Sequence, residues 1–170
     1  WALTQMNLGN AYSALGALER AVAAYEAALT VMTRAGDPDG WAATQMNLGA
    51  ALHLAGERGA PGALERAVAA YEAALTVMTR EVDPAGWART QMNLGVAYMR
   101  QGERGAPGAL ERAVAAYEAA LTVRTRAANP EGWASTQNNL GLALHAQGAR
   151  GAPGALERAV AAFEAALMVR

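Results

Sequence analysis

Apolar and small residues recur along this chain at steps of three and four rather than in alternation. In residues 109–121, Leu110, Val114, Tyr117, Ala120 and Leu121 follow the pattern i, i+4, i+7, i+10, i+11, which gathers them on one side of a helix and fits no strand. In residues 87–98, Trp87, Met92, Leu94, Gly95 and Tyr98 also share a helical face. The two stretches predict a helix A and a helix B, and both return four times. Trp-Ala-x-Thr-Gln starts at Trp1, Trp41, Trp87 and Trp133, at spacings of 40, 46 and 46. Ala-Leu-Glu-Arg-Ala-Val-Ala-Ala starts at Ala17, Ala63, Ala109 and Ala155. Self-similarity at such periods indicates stacked repeats. The expected organisation is therefore all-α, one array of four helix-turn-helix units at 1–40, 41–86, 87–132 and 133–170.

The punctuation between the patterns sets the expected ends. Asp37-Pro38, Asp83-Pro84 and Asn129-Pro130 each put a capping side chain before a proline, which marks the start of helix A. Arg34, Arg80 and Arg126 stand just before, where a cation suits the negative end of a helix, so helix B is expected to close there. Unit one joins its helices through Leu15-Gly16-Ala17. The others carry Gly-x-Arg-Gly-Ala-Pro-Gly, as at Gly56 to Gly62, expected to be loop with Pro61, Pro107 and Pro153 near the first turn of helix B. Gly9, Gly49, Gly95 and Gly141 fall mid-helix, where glycine costs about 1 kcal/mol against alanine, so each predicts a close approach of a neighbouring helix. Ala21, Ala67, Ala113 and Ala159 are the expected partners, with Tyr25, Tyr71, Tyr117 and Phe163 filling the remaining space.

Composition narrows the function more than the fold. With 53% hydrophobic and 17% charged residues, the 170-residue chain can bury a substantial core, and a net charge of −1 gives no basic face for nucleic acid. There is no cysteine, hence no disulfide or thiolate chemistry. No apolar run approaches the roughly 18 to 20 residues of a membrane helix, and Trp1 to Gly9 do not read as a secretion signal, so a cytoplasmic location is the expectation. All 14 basic residues are arginine, which with abundant alanine suggests a GC-rich bacterial genome.

Leu8-Gly9 and Tyr12 on helix A, with Ala21, Tyr25 and Ala28-Leu29 on helix B, resemble the tetratricopeptide repeat, and counterparts stand in all four units. The resemblance implies a right-handed superhelical solenoid that binds proteins. Two features depart from the usual pattern. The units exceed the usual period of about 34 residues, and Gln5, Gln45, Gln91 and Gln137 occupy the position where the family's first-helix tryptophan is usual. Longer units with Gln-x-Asn-Leu-Gly on helix A look more like the kinesin-light-chain type and bacterial signalling-associated repeats.

In that family helix A lines the concave surface, which singles out candidate binding residues. Asn7, Asn47, Asn93 and Asn139 precede each Leu-Gly, and an amide there can donate to and accept from a peptide backbone, or instead fix the stacking of neighbouring helices. Met6, Met46 and Met92, replaced by Asn138 in the fourth unit, would give an adaptable apolar strip. Asn10, Ala50, Val96 and Leu142, then Ser13, His53, Met99 and His145, lie further along the same face. Arg89 and Arg100 are the exceptions among its otherwise uncharged positions and are candidates to meet one acidic group on a ligand. Arg58, Arg104 and Arg150 recur in the long loops, where a small anion stripe is opposed by Glu57 and Glu103 beside two of the three.

Nothing in the sequence points to catalysis. His53 and His145 are two units apart, and no phosphate loop, nucleophile elbow or carboxylate pair is present, so no metal or cofactor is expected. The expected role is a protein- or peptide-binding scaffold within a larger bacterial protein, without membrane or nucleic-acid partners. The alternative is a structural solenoid that stacks end to end or acts as a rigid spacer. Trp1 begins inside a unit and Arg170 corresponds to Arg124, so the fourth helix B is expected to be cut short and the chain to be a piece of a longer array.

Overall fold

The computed structural model describes residues 1–169; Arg170 lies outside the described residues. Eight helices are present among them: α1 Ala2–Ala14, α2 Leu18–Leu29, α3 Pro38–Glu57, α4 Ala63–Leu75, α5 Pro84–Glu103, α6 Ala109–Leu121, α7 Pro130–Gly148 and α8 Ala155–Leu167. They pair as consecutive A/B hairpins, so the chain is all-α with paired tandem repeats. Two compact units are distinguished, Trp1–Asp83 and Pro84–Arg170, each holding two hairpins.

Helix A begins where the capping residues predict. The Asp37 carboxylate accepts from the Gly40 N–H at 3.0 Å, and the Asn129 carbonyl oxygen accepts from the Gly132 N–H at 2.8 Å, with proline in the first turn. Helix B ends earlier than expected, at Leu29, Leu75 and Leu121, five residues before the arginines. The cause is threonine. The Oγ1 atoms of Thr30, Thr76 and Thr122 each donate to the carbonyl three residues back at 2.7 Å, while the following backbone tightens into i→i+3 turns. The arginines still serve helix ends, but not their own. Arg34 donates to the Thr76 carbonyl (3.1 Å) and Arg126 to the Met168 carbonyl (2.8 Å), at the end of the next hairpin's helix B within the same unit. The fourth helix B is consequently full length, since α8 has 13 residues like α4 and α6.

Helix A runs further than expected. Gly56, Gly102 and Gly148 are helical rather than loop, and they are glycine because a Cβ on them would lie 2.7, 2.6 and 2.5 Å from the leucine near the start of the facing helix B: Leu64, Leu110 or Leu156. The true loops are short. Pro61 precedes α4 rather than entering it, and Gly62 at φ +67 turns the chain into the helix. The mid-helix glycines do permit close approach, yet their partner is the aromatic ring and not alanine. A Cβ on Gly9, Gly49, Gly95 or Gly141 would lie 2.6 to 2.7 Å from a ring carbon of Tyr25, Tyr71, Tyr117 or Phe163, in the same hairpin. Those three tyrosines are at most 2% exposed and form the centre of their hairpins.

Candidate functional site

The candidate residues lie on the helix A face that borders the glycine–ring contact, not on one turned away from helix B. In the first unit α1 offers Met6, Asn7, Asn10 and Ser13, and α3 offers Met46, Asn47, Ala50 and His53, spaced by three or four. The Tyr25 hydroxyl donates to Asn10 Oδ1 at 2.7 Å, and Asn47 Nδ2 donates to the same oxygen at 3.1 Å. Burial raises the Tyr25 pKa above its ordinary value of 10, which keeps the hydroxyl a donor. Beside this junction an open cleft of about 340 Å³ is lined by Asn10, Ser13, Ala14, Tyr25, Asn47 and Ala50. His53 Nε2 lies 3.6 Å from Glu57 Oε1, one turn on. Asn7 is exposed and hydrogen-bonds to no described residue.

In the second unit the equivalent face is built from Arg89, Met92, Asn93, Val96 and Arg100 on α5, and Asn138, Asn139, Leu142 and His145 on α7. Asn139 Nδ2 reaches Met92 Sδ at 3.8 Å, so here too a ladder asparagine bridges two A helices. Asn93 is half-buried and its amide has no protein partner among the described residues. Asn138 and His145 are exposed. Arg89 and Arg100 are not brought to one ligand group, being three turns apart, about 16 Å along the axis. Arg100 Nη1 is instead 2.9 Å from Glu103 Oε2. His53 belongs to the first unit and His145 to the second.

Two of the three loop arginines are spent on backbone carbonyls. Arg58 donates to the Gly16 carbonyl at 2.9 Å and Arg150 to the Gly102 carbonyl at 2.7 Å, each fastening its hairpin to the one before it in the unit. Two features of the site escaped the sequence reading. The first is the double acceptor role of Asn10, which depends on Tyr25 from another helix. The second is Arg124, at the place Met32 and Met78 hold in earlier hairpins; that exchange was visible in the repeat alignment. Among the described residues no group of three or more His, Asp or Glu is placed to hold a metal ion, and no helix is long and apolar enough to cross a membrane.

Comparison with known proteins bears on this geometry. Residues 2–31 match the family model of the tetratricopeptide repeat. No curated protein matches the sequence. Among solved structures, the fold is similar to the crystal structure of BtubC (BKLC) from P. vanneervenii, with a TM-score of 0.78 and 25% sequence identity over 99% of this chain and 63% of that one. The chain thus spans less than two thirds of the length of that relative. The matched segment contains the Gly9–Tyr25 contact, and the same contact returns as Gly49–Tyr71, Gly95–Tyr117 and Gly141–Phe163. One hairpin is thus matched by the family model of the tetratricopeptide repeat, the other three repeat its glycine–ring packing, and the fold as a whole is similar to that of BtubC.

Proposed function

We propose that this chain is a non-catalytic scaffold that holds an extended peptide segment of another protein against its helix A faces. The observation that carries the reading is unspent hydrogen-bonding capacity. Asn47 uses one N–H on Asn10, and its second N–H and its carbonyl oxygen have no protein partner among the described residues; Asn7 and Asn93 spend none on described residues. An extended backbone presents donors and acceptors in alternation, and half-exposed amides flanked by methionine suit it without demanding one side-chain sequence. Peptides selected by display against the intact chain provide the test. Asn47→Ala with Asn93→Ala is expected to weaken the selected peptides on the order of tenfold, as expected for the loss of about 1.4 kcal/mol, while the circular dichroism spectrum stays helical and the melt falls only by the loss of the Asn47–Asn10 bond. Unchanged affinity in a folded double variant defeats the proposal.

A second reading, association between copies, draws support from α8. Leu156 and Val160 are 47% and 55% exposed, whereas their counterparts Leu110 and Val114 are 2% and 7% exposed. Sedimentation over a concentration series tests it, and a strict monomer at high concentration excludes it.

A further inference from the structure

The register of hairpin α5/α6 brings Arg89 and Arg124 to neighbouring places, and neither is paired with a described carboxylate. Its antiparallel register is set by two contacts, Gly102 against Leu110 and Gly95 against Tyr117. One further step of seven residues, two helical turns, brings Ala88 opposite Arg124 and puts Arg89 beside it. Beyond Leu121 the backbone tightens into three-residue turns at Thr122 and Val123, but the Arg124 N–H still donates to the Ala120 carbonyl at 2.9 Å, which keeps Arg124 one turn above Ala120. Ala88 is fully buried. Arg89 is exposed and lies on the α5 face that carries Met92, Asn93 and Val96.

Arg124 is half-buried, and its one side-chain partner is a hydroxyl, Thr136 Oγ1 at 3.4 Å. Thr136 itself donates to the Gly132 carbonyl, at 2.6 Å. In the first hairpin the corresponding space holds Met32, whose Sδ accepts from Thr44 Oγ1 at 3.3 Å. A charge has replaced an apolar side chain there without acquiring a counterion. Neither Arg89 nor Arg124 makes an ion pair with any described carboxylate, and Glu131 at the start of α7 is exposed and pairs with neither. Burial first, and then the positive charge of Arg89, both push the Arg124 guanidinium below its ordinary pKa, as expected of a cation short of anions. A partly buried cation costs desolvation that a paired anion returns.

We infer that Arg89 and Arg124 form a pocket for an acidic side chain, aspartate or glutamate, of the peptide bound along α5. The pair gives the second unit a charge preference that the first unit, with Leu3 and Met32 at these places in one hairpin and Ala43 and Met78 in the next, does not have. The inference rests on the peptide-binding reading but is testable apart from it. The intact chain is titrated with acetyl-Ala-Glu-Ala-amide and with its glutamine analogue while the arginine Nε–Hε signals are followed by NMR, assigned through Arg89→Ala and Arg124→Met. Arg124→Met installs the residue that Met32 and Met78 already show to be compatible with the fold. Saturable shifts of both signals with the glutamate peptide alone, lost in either variant, are expected. In display-selected peptides the Glu-over-Gln preference is expected to be on the order of tenfold and to vanish in Arg124→Met. Shifts no larger than those of the carbonyl-bound Arg150, or an unchanged Glu-over-Gln ratio in both variants, overturn the site even if Asn93→Ala weakens peptides. Saturable shifts with indifferent asparagine variants would keep the site and remove the backbone-clasping role.

Discussion

Gly95 is held in the middle of α5 against a helix-propensity cost of about 1 kcal/mol, and the Tyr117 ring explains why. A methyl group there would sit 2.6 Å from Cε1 of a ring that is 1% exposed. Overpacking of this kind costs about 1 to 3 kcal/mol, so the clash outweighs the propensity gain. Gly95→Ala is expected to destabilise by about 1 kcal/mol net, read as a lower urea midpoint, and Tyr117→Leu in the same chain should restore part of the loss. A raised midpoint in Gly95→Ala would show that the ring yields. The tyrosine hydroxyls have a pH consequence. Burial pushes the Tyr71 and Tyr117 pKa values far above the ordinary 10, with Arg100 opposing and Glu103 adding at Tyr117. Above pH 10 the unfolded chain ionises these groups while the folded chain keeps its protons, so stability is full below that pH and declines above it. Phe163 does the same packing without a hydroxyl. Tyr71→Phe with Tyr117→Phe should therefore fold normally at pH 7 and lose less stability than the parent between pH 10 and 12. Equal alkaline losses would count against the burial argument. The sequence made the close approach at glycine legible, since only packing repays such a cost, but which side chain enters the gap depends on the hairpin register.

At the scale of the elements, helix starts were legible and helix ends were not. An Asp-Pro or Asn-Pro pair combines a cap with a proline that fits only the first turn, so it admits one reading. The ends depend on Thr30, Thr76 and Thr122 choosing a local carbonyl over helix continuation, which β-branched polar residues do only in some settings. Misplaced ends also hid the true task of the arginines. Arg66–Glu26 and Arg158–Glu118 join successive hairpins through side chains about half exposed, and such pairs contribute about 0.2 to 1 kcal/mol. Arg150 instead reaches a backbone carbonyl near the end of α5 in a part-buried position. The Gly102 carbonyl keeps the Gly105 N–H at 2.8 Å when Arg150 is removed, so what is lost is the charge-assisted hydrogen bond itself; such a bond is worth more than a half-exposed ion pair, and Arg150→Ala is expected to cost more than Arg158→Ala, by about 1 kcal/mol. Denaturant melts of the two variants make the comparison, and an equal or reversed order rejects the carbonyl staple as the stronger joint.

Across the whole molecule the repeat was the most legible feature, because four in-phase copies allow each ambiguous position to be read against three others. The same redundancy conceals the binding face. Asn47 and Asn139 look identical in sequence, yet one bonds Asn10 and the other meets Met92, a difference set by which residues the neighbouring A helix supplies. Energetically, a chain of repeats approximates a sum of local hairpin terms and neighbour terms. Pro84–Arg170 has its own glycine–ring centres at Gly95 and Gly141, its own cap at Asn129 and its own arginine staples at Arg126 and Arg150. Expressed alone it should therefore give a helical circular dichroism spectrum and a cooperative, if earlier, unfolding transition. Within it, Asn129→Ala removes a cap worth about 1 kcal/mol, and locality requires the same loss in the segment and in the full chain to within about 0.5 kcal/mol. A segment that melts without cooperativity would mean that the second unit borrows its order from the first, and a cap effect that differs between the two contexts would mean that the hairpin terms are not separable.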